Sequence, residues 1–236
     1  MTALLKTERL EAFYGASQVL HGIDLELARG EQVALLGRNG MGKTTLLRSL
    51  MGLVDDCRGS VALAGQNIVR AAPEAVARAG VAFVPEGRGV FGSLSVVENL
   101  VMAARAGTDG RRTWTLERIF DLFPRLWQRK DNGGAQLSGG EQQMLTIGRA
   151  LMTNPDMILI DEATEGLAPL VAQDIWRTLA TIKAEGVAAI VVDRDVKSLS
   201  RIADRTILLS KGTVVFSGTP AGLAAQPEIL ERYLGV

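Results

Sequence analysis

GRNGMGKT (residues 37–44), directly after the apolar run VALL (residues 33–36), decides the fold of this 236-residue chain. It fits the pattern G-x-x-x-x-G-K-[ST], in which glycines let backbone N–H groups curl around an anion. A helix predicted to open at the end of this loop adds its partial positive charge at the same place. The stretch therefore predicts a phosphate-binding loop, in which Lys43 reaches the β- and γ-phosphates of a nucleotide and the Thr44 hydroxyl binds Mg²⁺.

Outward from the loop, short apolar strands alternate with amphipathic helices. The runs at residues 81–84, 157–160 and 187–192 predict further buried strands, and residues 139–152 and 170–185 predict helices. This alternation predicts an α/β fold with a mostly parallel sheet covered on both faces.

A different pattern occupies residues 87–132, where apolar side chains from Phe91 and Leu94 onward recur at helical spacing. We predict a helical lobe there, inserted into an α/β core made of residues 1–86 and 133–236. The whole chain, residues 1–236, then forms a single domain. The first 30 residues alternate as short, half-buried strands do.

Composition excludes several classes of protein. Lys and Arg number 26, as do Asp and Glu, so the formal charge is zero and a nucleic-acid partner is not expected. Apolar residues at 47% and charged residues at 22% exclude a disordered chain. Cys57 is the single cysteine, which fits a reducing compartment. The start has no signal-peptide pattern, and no stretch is apolar enough to cross a membrane.

ILIDE (residues 158–162) places Asp161 and Glu162 at the carboxyl end of an apolar strand. Ligands of open α/β sheets bind at that edge. We expect Asp161 to organise Mg²⁺ through its water shell, and Glu162 to orient or deprotonate an attacking water. A strand followed by an acidic helix start is the simpler interpretation, and the phosphate loop in the same chain favours the functional one.

QLSGGEQQ (residues 136–143) lies between the phosphate loop and the acidic strand end. Ser138 and Glu141 have the spacing of a capping box, which predicts a well-capped helix. Capping does not explain why Gly139 and Gly140, which are poor helix formers, fill the first turn. Bare glycines leave backbone N–H groups open to an incoming anion.

Together, in this order, the phosphate loop, LSGGEQQ and the acidic strand resemble the signature of ATP-binding cassette (ABC) ATPases, over the whole chain. VPEGRGVFGSLSVVENL (residues 84–100), DEATEGLAP (residues 161–169) and the ending YLGV resemble the LivF-type ATPase of branched-chain amino-acid importers. The resemblance implies a P-loop NTPase (RecA-like) core with an N-terminal antiparallel β subdomain and an inserted helical subdomain.

The resemblance also implies how such a protein works. Two ATPase subunits, identical or related, pair head to tail, and the LSGGE helix start of one caps the ATP held by the other. Hydrolysis opens the pair, and the helical lobe with the Glu86 segment transmits this to transmembrane permease subunits. A solute-binding protein acts indirectly, and the ATPase lies peripherally on the cytoplasmic face of the inner membrane.

Site residues carry over position by position. Tyr14 matches the aromatic residue that stacks on adenine, unless it only packs its ring within a strand. Glu86 stands where most ABC proteins have glutamine, as in the LivF type, and Met41 is expected only to fill space. The residues expected to bind ATP are Tyr14, Gly37, Arg38, Asn39, Gly40, Met41, Gly42, Lys43, Thr44, Thr45, Ser138, Gly139, Gly140 and Glu141. The expected catalytic residues are Glu162, Lys43 and Arg194, and the expected Mg²⁺ ligands are Thr44, Glu86 and Asp161.

One position departs from the family pattern. ABC proteins usually have a histidine that contacts the γ-phosphate where this chain has Arg194, and its single histidine, His21, lies far upstream. A guanidinium stays protonated and is no base, but it can hold the γ-phosphate as a fixed cation. The alternative is that Arg194 pairs with Asp193, Asp195 or other surface carboxylates.

Two other classes of protein fit the sequence less well than an amino-acid importer does. Soluble ABC ATPases of translation or DNA repair usually carry two cassettes or a long coiled-coil insertion, which this chain lacks. A P-loop kinase or GTPase would leave LSGGE unexplained. An importer of urea or amides in the same branch stays open.

Overall fold

The part of the chain that the structure describes, residues 3–235 of a computed structural model, folds into two sheets and ten α-helices. The strands are β1 (Leu5–Tyr14), β2 (Ser17–Leu27), β3 (Gln32–Leu36), β4 (Asp56–Leu63), β5 (Gln66–Asn67), β6 (Val81–Val84), β7 (Met157–Ile160), β8 (Ala188–Val192), β9 (Arg205–Ser210) and β10 (Thr213–Gly218). The helices are α1 (Lys43–Leu50), α2 (Pro73–Arg78), α3 (Val96–Val101), α4 (Leu116–Leu122), α5 (Pro124–Gln128), α6 (Gly139–Met152), α7 (Pro169–Ala184), α8 (Val196–Ile202), α9 (Pro220–Ala224) and α10 (Pro227–Tyr233). Among these residues, no helix combines the length and hydropathy that crossing a bilayer requires.

The N-terminal sheet is antiparallel, with strand order β2-β1-β4-β5. β1, at ten residues, is longer than the short strands expected from the sequence, and its pairing is interrupted at Arg9, where φ is 46°. There the Arg9 backbone N–H donates to Oδ1 of Asp24 at 2.7 Å instead of to the ladder. The predicted N-terminal antiparallel subdomain is confirmed.

The second sheet has the order β10-β9-β3-β8-β7-β6 and is parallel except for the β9–β10 hairpin. Ala34 and Leu36 of β3 join the core beneath α6, while Val33 and Leu35 join the core shared with α1 and the N-terminal sheet. This alternation buries both faces, as predicted. Because parallel strands share one carboxyl edge, the segments after β3, β6, β7 and β8 meet there.

The helical lobe contains shorter helices than the spacing predicted. α3, α4 and α5 pack against α6, but Phe91 and Leu94, expected on a helix, precede α3. Ser95 caps α3, and the buried Asn99 amide bonds the N–H and carbonyl of Phe91 and the carbonyl of Leu94, each at 3.0 Å. These bonds satisfy backbone groups that a helix would otherwise pair.

Candidate active site

The phosphate loop joins β3 to α1 in a conformation that requires glycine at two positions. Gly37 (φ 147°) and Gly42 (φ 101°) have positive φ values that disfavour other residues. A Cβ atom on Gly37 would collide with the carbonyl oxygen of Leu209, and one on Gly42 would lie 3.0 Å from Cδ2 of Leu20. Packing against β9 and β2 therefore holds the curl of the loop.

Lys43 folds back across this loop. Its Nζ donates to the carbonyl oxygens of Gly37 (2.8 Å) and Arg38 (2.9 Å). Burial lowers the pKa of Lys43, nearby Arg194 lowers it further, and Asp161 opposes the shift. The geometry places a partly desolvated cation over the loop, where its attraction for phosphate oxygens is less screened than in water.

Met41 attaches the phosphate loop to a neighbouring turn. Its Sδ accepts the backbone N–H of Lys211 at 3.2 Å, and its carbonyl accepts that of Gly212 at 3.0 Å. These contacts tie the loop to the β9–β10 turn. The expectation that Met41 only fills space missed this role, because the turn lies far along the chain and no local pattern indicates the contact.

Asp161 lies at the end of β7 and is 1% exposed. Neither carboxylate oxygen has a hydrogen bond of ordinary geometry. Burial raises the pKa of Asp161 and repulsion from Glu86 adds to this, while Thr44 and Lys43 oppose it. A buried carboxylate with free oxygens beside a threonine hydroxyl suits a hard divalent cation such as Mg²⁺.

Glu162 follows with a left-handed backbone (φ 55°), which is uncommon for a residue other than glycine and concentrates at functional sites. Its Oε2 is buried without a partner, and its Oε1 lies 3.9 Å from Nη2 of Arg194. The same guanidinium nitrogen lies 2.6 Å from Oε1 of Glu165. One carboxylate oxygen from each of Glu86, Glu162 and Glu165 lies within 4.8 Å of the other two.

Most of the predicted residues meet in two adjoining clefts, of about 380 and about 300 Å³. The predicted residues that line one or both clefts are Gly37, Arg38, Asn39, Gly40, Gly42, Lys43, Thr44, Thr45, Glu86, Glu162 and Arg194. Tyr14 lies instead at the β1–β2 turn with 45% of its surface exposed. None of the predicted signature residues, 138–141, lines either cleft within the described part of the chain.

The signature residues open α6. The Ser138 backbone N–H and hydroxyl both donate to Oε2 of Glu141 at 2.8 Å, and the Glu141 N–H donates back to Ser138 Oγ at 3.3 Å. A Cβ atom on Gly139 would lie 2.8 Å from Nη1 of Arg88, and one on Gly140 would lie 2.5 Å from Cγ1 of Val171. The capping box is confirmed. Close packing against Val171 supplies a reason for Gly140 that the sequence did not reveal, whereas the flexible end of Arg88 could move aside from a side chain at position 139.

Three further residues shape the site beyond the roles expected from the sequence. Arg194 pairs with Glu165, one of the other surface carboxylates that the alternative interpretation allowed, rather than with Asp193 or Asp195. Asp193 instead accepts the Thr164 N–H and hydroxyl, at 2.7 and 2.8 Å. Leu234, near the end of the chain, lines the cleft beside Gly37. The sequence shows a carboxylate, Glu165, three residues after Glu162, but it does not show that this carboxylate pairs with Arg194.

A glycine loop that opens a helix, beside a buried aspartate at a neighbouring strand end, defines a P-loop nucleotide-binding protein. The family described as "ABC transporter" matches residues 20–165, so the chain belongs to the ABC transporter family. It is an ATP-binding subunit that hydrolyses ATP, of the kind that dimerises and works with transmembrane permeases.

Individual relatives differ in what they are named for. The chain is 38% identical over 232 residues to the "High-affinity branched-chain amino acid transport ATP-binding protein BraG" of Pseudomonas aeruginosa, covering 98% of this chain and 100% of that one. It is 30% identical over 235 residues to the "Lipopolysaccharide export system ATP-binding protein LptB" of Escherichia coli K12, covering 99% and 98%. A solved "ATP binding subunit of ABC transporter" superposes with a TM-score of 0.82 at 29% identity, covering 96% and 94%. The predicted fold is thereby confirmed.

Proposed function

We propose that this chain powers the uptake of branched-chain amino acids through permease subunits. The observation that carries the proposal is the full-length likeness to BraG, which exceeds the likeness to the lipopolysaccharide-export subunit LptB. A urea or amide importer of the same branch is the alternative. The substrate is selected by partners, so the chain itself supplies the ATP-driven step.

In the proposed mechanism, ATP phosphates occupy the curl of residues 37–44, with Lys43 on the β- and γ-phosphates. Thr44, Glu86 and Asp161 would hold Mg²⁺, which when bound neutralises charge on the β- and γ-oxygens. The two free oxygens of Asp161 support this assignment. Tyr14, exposed at its turn, would stack on adenine.

Glu162 is proposed to take the proton of the attacking water. Its left-handed backbone and its carboxylate in the cleft beside Lys43 support this role. Arg194 lines both clefts and is proposed to contact the γ-phosphate as a fixed cation. Its guanidinium donates hydrogen bonds but stays protonated, so Glu162 is the proposed base.

The Ser138–Gly140 helix start is proposed to cap ATP held by a second ABC ATPase subunit, identical or related. The resemblance to ABC ATPases implies this role, and the position of residues 138–140 outside the two clefts of their own chain is consistent with it. Residues 87–132 would form the inserted helical subdomain that, with the Glu86 segment, contacts the permease. The proposal includes a solute-binding protein as an indirect partner and a peripheral place at the cytoplasmic face of the inner membrane.

Glu162→Gln tests the chemistry, since it keeps the shape of the side chain and removes the base. We expect turnover to fall at least about a hundredfold, the lower end of a general-base contribution, while ATP stays bound. Glu117→Gln, on an exposed carboxylate at the start of α4, is the matched control and should hydrolyse ATP normally. Wild-type turnover in Glu162→Gln would show that the base is misassigned.

Affinity purification from native membranes tests the transport role. We expect permeases to co-purify, and a strain lacking the chain to lose uptake of labelled leucine, isoleucine and valine. Loss of urea or amide uptake instead would favour the alternative. Co-purification with a lipopolysaccharide-export permease would overturn the import proposal.

A further inference from the structure

Arg194 is held by two carboxylates of one chain segment. Its Nη2 lies 2.6 Å from Oε1 of Glu165 and 3.9 Å from Oε1 of Glu162. Glu165 therefore makes the closer contact, and it is a residue to which the proposed mechanism gives no role. Because Arg194 lines both clefts beside the phosphate loop, this contact sets the position of the Arg194 guanidinium within the site.

The backbone on both sides of this ion pair is fixed by one buried carboxylate. Asp193, 7% exposed, precedes Arg194 and binds the N–H and hydroxyl of Thr164, which precedes Glu165. Because the residues preceding Glu165 and Arg194 are hydrogen-bonded to each other, the backbone of both partners is already fixed. Less conformational entropy is therefore lost when the two side chains pair. Glu165 is preorganised to hold the guanidinium.

The pair itself remains easy to break. The Arg194 side chain is 61% exposed and that of Glu165 is 35% exposed, so water screens the attraction between them. A γ-phosphate carries more negative charge than a carboxylate and offers several acceptor oxygens. It can therefore displace Glu165 from the guanidinium.

We propose that Glu165 is a positioning residue that holds the Arg194 guanidinium until a γ-phosphate competes for it. This rests on the proposed contact between Arg194 and the γ-phosphate. Glu165 then lowers the affinity for ATP without changing the affinity for ADP, which has no phosphate group at that position. The ion pair sets how strongly the subunit distinguishes ATP from ADP.

Glu165→Gln tests this by removing the charge while keeping the shape. Binding of a non-hydrolysable ATP analogue and of ADP is measured by calorimetry on the full chain with Mg²⁺. We expect the affinity for the ATP analogue to rise about two- to five-fold, the scale of an exposed ion pair, with the affinity for ADP unchanged. Urea unfolding of each variant verifies that it is folded.

The same substitution in an Arg194→Ala background separates a specific contact from a general change of charge. In that background Glu165→Gln should leave both affinities unchanged, because the residue through which Glu165 acts is gone. A gain that persists there, a gain shared equally by ADP, or no gain at all would overturn the role of Glu165.

The failure of the underlying proposal would look different. Arg194→Ala alone is expected to weaken binding of the ATP analogue and to leave ADP binding unchanged. If it leaves both unchanged, the γ-phosphate role of Arg194 is wrong and the role of Glu165 falls with it. If it weakens ATP binding but Glu165→Gln has no effect, only the inference about Glu165 is wrong.

Discussion

The Thr164 hydroxyl and backbone N–H both donate to one oxygen of Asp193, at 2.8 and 2.7 Å. The other oxygen accepts the Asp195 backbone N–H at 2.8 Å. The carboxylate therefore joins the segment after β7, which carries Glu162, to the segment after β8, which carries Arg194. Two side chains proposed to act on the nucleotide are positioned by a third residue that need not touch it.

Asp193→Ala is expected to lower the free energy of unfolding by about 1–3 kcal/mol, because several donors lose their acceptor. ATP turnover should fall with it, since Glu162 and Arg194 lose a shared anchor. Urea unfolding and a steady-state ATPase assay measure both effects. Asp193→Asn keeps an acceptor oxygen and should lose less stability. An unchanged unfolding curve for Asp193→Ala would contradict the anchoring role.

Gly140→Ala is expected to displace the first turn of α6. Its new Cβ atom would lie 2.5 Å from Cγ1 of Val171, and a β-branched side chain cannot easily move aside. Overpacking of this kind costs about 1–3 kcal/mol, measured by urea unfolding. Val171→Ala in the same chain should restore both stability and turnover. Without that restoration, the glycine serves something other than packing.

Asp161→Asn is expected to raise the stability of the magnesium-free protein while abolishing turnover. Burial raises the pKa of Asp161 in the folded protein. Above that raised pKa the ionised carboxylate destabilises the fold, and this destabilisation disappears as pH falls toward 3.8, the ordinary pKa of aspartate. At neutral pH the substitution removes this destabilisation, so the free energy of unfolding should rise. Urea unfolding midpoints of both proteins, with and without Mg²⁺ and ATP, measure the effect. The midpoint of the wild type should exceed that of the variant only when both ligands are present. A lower midpoint without ligands would show that the carboxylate has partners after all.

As pH rises, the affinity for ATP should fall at a lower pH than it would if Lys43 had the ordinary pKa of lysine. Burial lowers the pKa of Lys43, so as pH rises its proton leaves below 10.5 and the neutral amine no longer attracts phosphate. Calorimetry with a non-hydrolysable analogue between neutral pH and 10.5 measures the decline. Lys43→Met should bind weakly at every pH and lose this dependence. A decline of the same shape in Lys43→Met would assign the titration to another group.

Local pattern was enough for the parts of the molecule that depend on near neighbours. The phosphate loop follows a strand and opens α1, and the Ser138 box opens α6, because turn chemistry and capping act within a few residues. The strand that Asp161 follows was also predicted, since an apolar run bounded by polar residues is a local signal. Family likeness then connected these pieces to ATP hydrolysis.

Contacts between distant segments were decided by the tertiary structure alone. The partner of Arg194, the tie between Met41 and the β9–β10 turn, and the packing that excludes a side chain at Gly140 each join residues far apart in the sequence. A contact over only five to eight residues delayed the start of α3, because the Asn99 amide hydrogen-bonds backbone groups ahead of that helix. The spacing of apolar residues in the sequence shows which face of a helix or strand is buried. It does not show which side chains from distant segments touch, because those contacts form only when the whole chain packs.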